Sequence, residues 1–142
     1  MLHDIRVDHY MAKQPIVLSP EVSIDAAIKT LLQHKISGAP VVQNGELIGM
    51  FSEADCLGDL LQSGYYDMSS GLVRDVMSIG IDSIHPSQSI LDAADLFQKR
   101  GRRRLPVVDD LGVVVGQISR RDVLRALHDL AQKRDPASAV AT

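Results

Sequence analysis

Ser119, Arg120, Arg121 and Asp122 stand where a β-branched run meets a helical pattern. A hydroxyl, two guanidinium groups and a carboxylate at the start of a helix suit an anion site. The first N–H groups of a helix are unpaired and lie at the positive end of its dipole. The same residues also meet a simpler demand. Ser-x-x-Asp is the spacing of a helix capping box, in which Ser119 caps the helix and Asp122 reaches back to it without any ligand. On this stretch alone both readings stand.

Other reactive residues form no recognisable centre. His3, His9, His34, His85 and His128 show no ligand spacing with carboxylates or with Cys56, so no metal site is expected. Cys56 excludes an intrachain disulfide by being alone, and its place in an apolar pattern suits a small core residue. There is no Walker pattern, nucleophile elbow or pair of catalytic acids. The net charge of −3 argues against nucleic-acid or membrane-surface partners. No apolar run approaches the roughly 20 residues of a membrane helix. The opening MLHDIRVDHYMAK has acidic residues and no apolar core, so it is not a signal peptide, and the expected location is the cytoplasm.

The elements that position Ser119 and Asp122 occur twice. Offset by 66 residues, Val7 falls over Val73, Met11 over Met77, Ser23 over Ser89, Ala27 over Ala93, and Pro40-Val41-Val42 over Pro106-Val107-Val108. One extra residue enters the second hairpin turn, and at an offset of 67 Gly49 falls over Gly116, Ser52 over Ser119 and Asp55 over Asp122. Each copy reads as β-α-β-β-α. Short strands are expected at Ile16 to Leu18 and Ile81 to Ile84, followed by helices capped by Ser23 and Ser89. Ile24, Ala27, Ile28, Leu31 and Leu32 make a one-faced apolar stripe, kept in part by Ile90, Ala93, Ala94 and Phe97. Gly101 is expected to end the second of these helices. Hairpins follow: Asn44-Gly45 is a strong turn signal, and Pro106 to Val108 pairs with Val113 to Ile118. Closing helices are expected from about Glu53 to Leu61 and Arg120 to Gln132. The expected organisation is a first repeat over 1–61, a linker over 62–72 with Tyr65 and Tyr66 packed on the module, a second repeat over 73–134 and a flexible tail over 135–142.

Together, Val73-Arg-Asp-Val-Met77 and its counterpart Val7 to Met11, the strand Leu105-Pro-Val-Val-Asp109, and the two Gly-x-x-Ser-x-x-Asp endings at Gly49 to Asp55 and Gly116 to Asp122 resemble the CBS domain, named after cystathionine β-synthase. The resemblance covers about residues 7 to 132. It implies an α+β fold, with two βαββα CBS repeats packed through their sheets about a pseudo-two-fold axis. It further implies clefts that bind adenosine ligands, AMP, ADP, ATP or S-adenosylmethionine. The motif Asp would take the ribose hydroxyls and the motif Ser the phosphate, which places these roles on Asp122 with Ser119 and on Asp55 with Ser52. A vicinal diol offers two donors to one carboxylate, and a hydroxyl with free N–H groups suits a phosphate.

The copies differ in charge. Lys99-Arg100-Gly101-Arg102-Arg103-Arg104 leads into the second hairpin, where the first copy has Ser37 and Gly38. In some members of the family, such as the nucleotide-sensing subunit of AMP-activated protein kinase, residues matching Arg103 and Arg104 are basic and contact phosphate. The resemblance therefore makes Arg103 and Arg104 candidate phosphate ligands, with Lys13, Lys35 or His34 as further contributors. It suggests Ile79, Ile81 and Leu105 as base walls for one cleft and Gln14, Ile16 and Ala39 for the other. The implied function is a regulatory adenine-nucleotide sensor without catalysis or an obligatory cofactor, expected as a homodimer acting on a protein partner in another chain. The alternatives are a ligand-free dimeric interaction scaffold, an S-adenosylmethionine binder and, last, an enzyme built on the same fold.

Overall fold

Ser23 and Ser89 begin the two helices predicted after them, and the remaining elements follow from the repeat. The structure, a computed structural model, describes residues 1–63 and 71–134. In chain order the elements are β1 (Ala12–Lys13), α1 (Ile24–His34), β2 (Gly38–Gln43), β3 (Glu46–Ser52), α2 (Glu53–Ser63), α3 (Val73–Val76), α4 (Ile90–Arg100), β4 (Arg104–Val108), β5 (Val114–Ser119) and α5 (Arg120–Arg134), with 3-10 turns at Leu2–Asp4 and Val7–His9. The chain is a mixed α and β fold with antiparallel hairpins. The expectations for Tyr65, Tyr66 and the tail lie outside the described residues.

Local chemistry explains the boundaries. The Ser23 hydroxyl accepts the Ala26 N–H at 3.1 Å, and Ser89 and Asp92 complete a reciprocal capping box. Gly101 ends α4 in the left-handed region at φ 65°. Asn44 and Gly45 both take positive φ, the geometry that lets a two-residue turn follow the twist of β2 and β3.

Among the described residues, 1–14, 82–110 and 114–134 form one compact unit; 15–63, 71–81 and 111–113 form the other. The units therefore cut the chain differently from the sequence repeats. In the first unit Val7 N–H donates to the Gln88 carbonyl at 2.8 Å and Asp8 N–H to the Pro86 carbonyl at 3.1 Å. Its sheet runs β1-β5-β4, all antiparallel. Val7 is packed in its core with Ile84, Ile90, Phe97, Leu105 and Ile118. The second unit repeats the device: Val73 N–H donates to the Val22 carbonyl at 2.8 Å and Arg74 N–H to the Pro20 carbonyl at 3.0 Å. Its core holds Val73, Leu18, Ile24, Leu31, Val41 and Phe51 beside the β2-β3 hairpin. The opening segment of each repeat thus completes the unit that carries the other repeat's hairpin.

Two expectations need correction. The strands expected at Ile16 to Leu18 and Ile81 to Ile84 shrink to single parallel bridges, Leu18 to Val41 and Ile84 to Val107. Each bridging residue uses its N–H and carbonyl on two neighbours of one hairpin strand, and the chain turns away two residues later at Pro20 and Pro86. Leu32, placed on the buried stripe of α1, is 73% exposed, because Ile24, Ala27 and Leu31 already fill the face that meets the core.

Candidate functional site

Ser119 closes β5 and Asp122 lies in the first turn of α5, so both belong to the unit with residues 1–14 and 82–110. Ser119 N–H donates to Asp122 Oδ2 at 2.8 Å and the Ser119 hydroxyl to the same oxygen at 3.0 Å, while Asp122 N–H donates back to Ser119 Oγ at 3.3 Å. The capping box is therefore fully formed. Asp122 Oδ2 has both lone pairs engaged, which leaves Oδ1 to face other donors.

Arg104 stands directly across from Ser119 in the β4–β5 register, so the two side chains leave the same face of the sheet. Leu105 pairs with Ile118 on the opposite face and is 1% exposed, inside the core. The basic run before β4 divides into two parts. Arg100 and Arg102 both pair with Asp82, Lys99 pairs with Asp95, and the Arg120 guanidinium donates to the Arg102 carbonyl at 2.7 Å. Among the described residues the Arg103 and Arg104 side chains have no partner and are exposed. Lys13 belongs to the same unit, on β1 opposite Gly116 of β5, and is also exposed.

The second half-site repeats the first. Ser52 N–H and its hydroxyl donate to Asp55 Oδ2 at 2.9 and 3.0 Å, and Asp55 N–H returns to Ser52 Oγ at 3.3 Å. Gly38 stands across from Ser52 where the other copy has Arg104, so this half-site lacks a facing cation. Ile16 is half-buried in this unit, Ala39 is fully buried in its core, Ile79 is 76% exposed and Ile81 is half-buried. Ile79 and Ile81 thus belong to the unit of Ser52 and Asp55, and Gln14 to that of Ser119 and Asp122. His34 and Lys35 lie exposed at the end of α1 in the second unit.

The motif glycines have a steric reason. A Cβ on Gly116 would meet Met11 Sδ at 2.5 Å and the Ala12 carbonyl at 2.8 Å; one on Gly49 would meet Met77 Sδ at 2.7 Å and the Ser78 carbonyl at 2.9 Å. The opening segment crosses each hairpin at its glycine, one residue triplet before the Ser, and only hydrogen fits there.

Sequence reasoning missed three neighbours. Arg125 Nη2 donates to Asp122 Oδ1 at 2.8 Å and to the Tyr10 carbonyl at 3.0 Å, with its guanidinium 5.5 Å from the centre of the Tyr10 ring. The Asp122 contact holds the guanidinium above its usual range of proton affinity. In the other unit the Ser78 hydroxyl donates to Asp55 Oδ1 at 2.7 Å. Arg125 was readable as the i,i+3 partner of Asp122 on one helix. Ser78 and Tyr10 carry no local signal, since their contacts depend on the tertiary course of the opening segments.

A family model, the CBS domain, matches residues 7–62 and 73–129. The chain belongs to the CBS domain family. CBSX2, solved in complex with AMP, is 30% identical and superimposes with a TM-score of 0.78 over 89% of this chain and 98% of that one. The CBS domain pair of MJ0100, solved in complex with 5′-methylthioadenosine and S-adenosyl-L-methionine, is 26% identical, with a TM-score of 0.74 over 87% of this CBS chain and 96% of that one. The uncharacterized protein MJ1426 of Methanocaldococcus jannaschii is 31% identical in an alignment that covers 81% of this chain and 87% of that protein. Other relatives are longer: the chain spans 40% of the uncharacterized protein MJ1232 of the same organism and 22% of the inosine-5′-monophosphate dehydrogenase of Nitrosopumilus maritimus. Two CBS repeats, read first from an internal offset, are thus what the family model and the solved CBS pairs show. Among the described residues no helix is long and apolar enough to cross a membrane, and no group of three or more His, Cys, Asp or Glu is placed to hold a metal ion.

Proposed function

We propose that this CBS pair is a regulatory adenine-nucleotide sensor, with Asp122 and Ser119 receiving the ribose and phosphate of an AMP-, ADP- or ATP-type ligand and Arg103 and Arg104 completing the phosphate site. One observation carries the reading. Of the basic run at the start of β4, the two residues left unpaired are those at and beside the position facing Ser119. Planar guanidinium forks suit phosphate oxygens, and Asp122 Oδ1 keeps a lone pair for a ribose hydroxyl. The AMP-bound CBSX2 relative supports the ligand class.

The ligand acts here as a signal, with no reaction catalysed by the pair itself, and the activity it modulates lies in a protein partner in the cytoplasm. Self-association through the closing helices is supported by Leu57 and Leu124, repeat equivalents that are 60% and 61% exposed. A second reading, a ligand of the S-adenosylmethionine type, is favoured at the Asp55 half-site, where Gly38 replaces the facing arginine and the ligand-bound MJ0100 pair supplies the precedent.

A thermal-melting screen with AMP, ADP, ATP and S-adenosylmethionine tests the proposal. A ligand at 100 times its Kd stabilises the fold by about 2.7 kcal/mol. Asp122→Ala is expected to remove the response to the nucleotides. A melting curve that no adenosine compound moves would leave the scaffold reading in its place.

A further inference from the structure

The two half-sites bind their Asp–Ser pair identically and differ at the remaining carboxylate oxygen. At Asp55 that oxygen takes a neutral hydroxyl, Ser78, which comes from the opening segment of the second repeat. At Asp122 it takes a cation, Arg125, which comes from the next turn of α5. The repeat offset shows the exchange to be reciprocal: Gly58 stands at the Asp55 half-site in the place that Arg125 takes at the other, and Ala12 stands in the unit of Asp122 in the place that Ser78 takes at the other. Each Oδ1 takes one protein donor, and among the described residues only Asp122 of the two has a cation paired with it.

Arg125 is held in that position by more than the carboxylate. The same Nη2 donates to the Tyr10 carbonyl, the guanidinium lies over the Tyr10 ring, and the Tyr10 hydroxyl is anchored by Asp129 Oδ2 at 2.6 Å. All four residues belong to one compact unit. The chain of contacts fixes a positive group beside the carboxylate without using its last lone pair.

We infer that Arg125 is a positioning residue that acts through Asp122 and sets the preference of this half-site for adenosine carrying an anionic 5′ group over adenosine itself. The inference rests on the nucleotide reading above. A bare carboxylate beside the ribose repels a 5′ phosphate, and a compensated one does not. The ribose hydroxyl contact survives removal of Arg125, because the Ser119 N–H still holds Asp122 through Oδ2 when the Ser119 hydroxyl turns to the phosphate. What is lost is the compensating charge, which an unphosphorylated nucleoside does not sense.

Calorimetric titration of the full chain with AMP and with adenosine separates the two effects, using the wild type, Arg125→Met and Arg125→Lys. Arg125 is 60% exposed, so neither substitution opens the core. Arg125→Met is expected to weaken AMP roughly two- to fivefold, the range of an exposed charge contact, and to change adenosine less than about 1.5-fold. Arg125→Lys is expected to recover most of the AMP affinity. Equal losses for both ligands, no loss for either, or a lysine variant that behaves like methionine would overturn the inference. If the wild type binds neither compound, the nucleotide reading itself fails, and the inference falls with it.

Discussion

Asp122 receives two hydrogen bonds from Ser119 on one oxygen and one from Arg125 on the other, with its side chain 15% exposed. Removing that carboxylate therefore acts twice. Asp122→Ala loses half of a capping box and should cost about 1 kcal/mol of stability in denaturant melts, besides losing the ligand response. A variant that keeps its stability and its ligand would show that neither role is real. The box itself was legible in the sequence, because Ser-x-x-Asp is a local pattern whose geometry the helix dictates. Arg125 was legible in principle at i,i+3. Ser78 was not, because 23 residues of chain separate it from Asp55. Cys56 sits next to Asp55, and partial burial together with that negative charge raises its thiol above the usual value. Its thiolate fraction is thus reduced at any given pH. The midpoint of its alkylation rate against pH should lie above the roughly 8.5 of a free thiol; a midpoint at or below that value contradicts the burial and charge described for it.

At the scale of elements, the fold depends on close approach at two glycines. Gly116 allows the chain at Met11 and Ala12 to lie against β5, and β1 pairs with β5 there through Ala12 with Gln117 and Lys13 with Gly116. A methyl group at this point meets a backbone carbonyl that cannot move without breaking the pairing. Gly116→Ala should cost roughly 1–3 kcal/mol, the usual penalty of overpacking a filled site, and Gly49→Ala should behave alike. Urea melts that shift by less than about 0.5 kcal/mol would argue against the crossing. The helices and hairpins were legible because apolar period, serine caps and Asn-Gly turns are local signals. The short parallel bridges at Leu18 and Ile84 were overread as strands, since a β-branched run beside a proline looks the same whether one residue pairs or four do.

For the molecule as a whole, the repeat written in the sequence and the unit that folds are different divisions of the chain. Val7 lies in the core with Ile84, Ile90 and Phe97, and Val73 in the core with Leu18 and Phe51. No local pattern announces this exchange, because its hydrogen bonds join segments such as Val7 and Gln88 that are remote in sequence. Val7→Ala, although outside the second repeat, should loosen the unit that carries Ser119 by roughly 1–3 kcal/mol, the cost of a small cavity in a filled core. Amide exchange read at Ile84, Ile90 and Val108 would show it as faster opening; exchange changed only around Leu18 and Val42 would contradict it. We read the Ser119–Asp122 device, with Arg103 and Arg104 exposed beside it, as a nucleotide site. The most direct measurement is an amide-resolved NMR titration of the full chain with AMP. Saturable shifts are expected, concentrated at Arg103, Arg104, Ser119 to Asp122 and Arg125. A titration that leaves these amides unmoved, while others shift or none do, would contradict it.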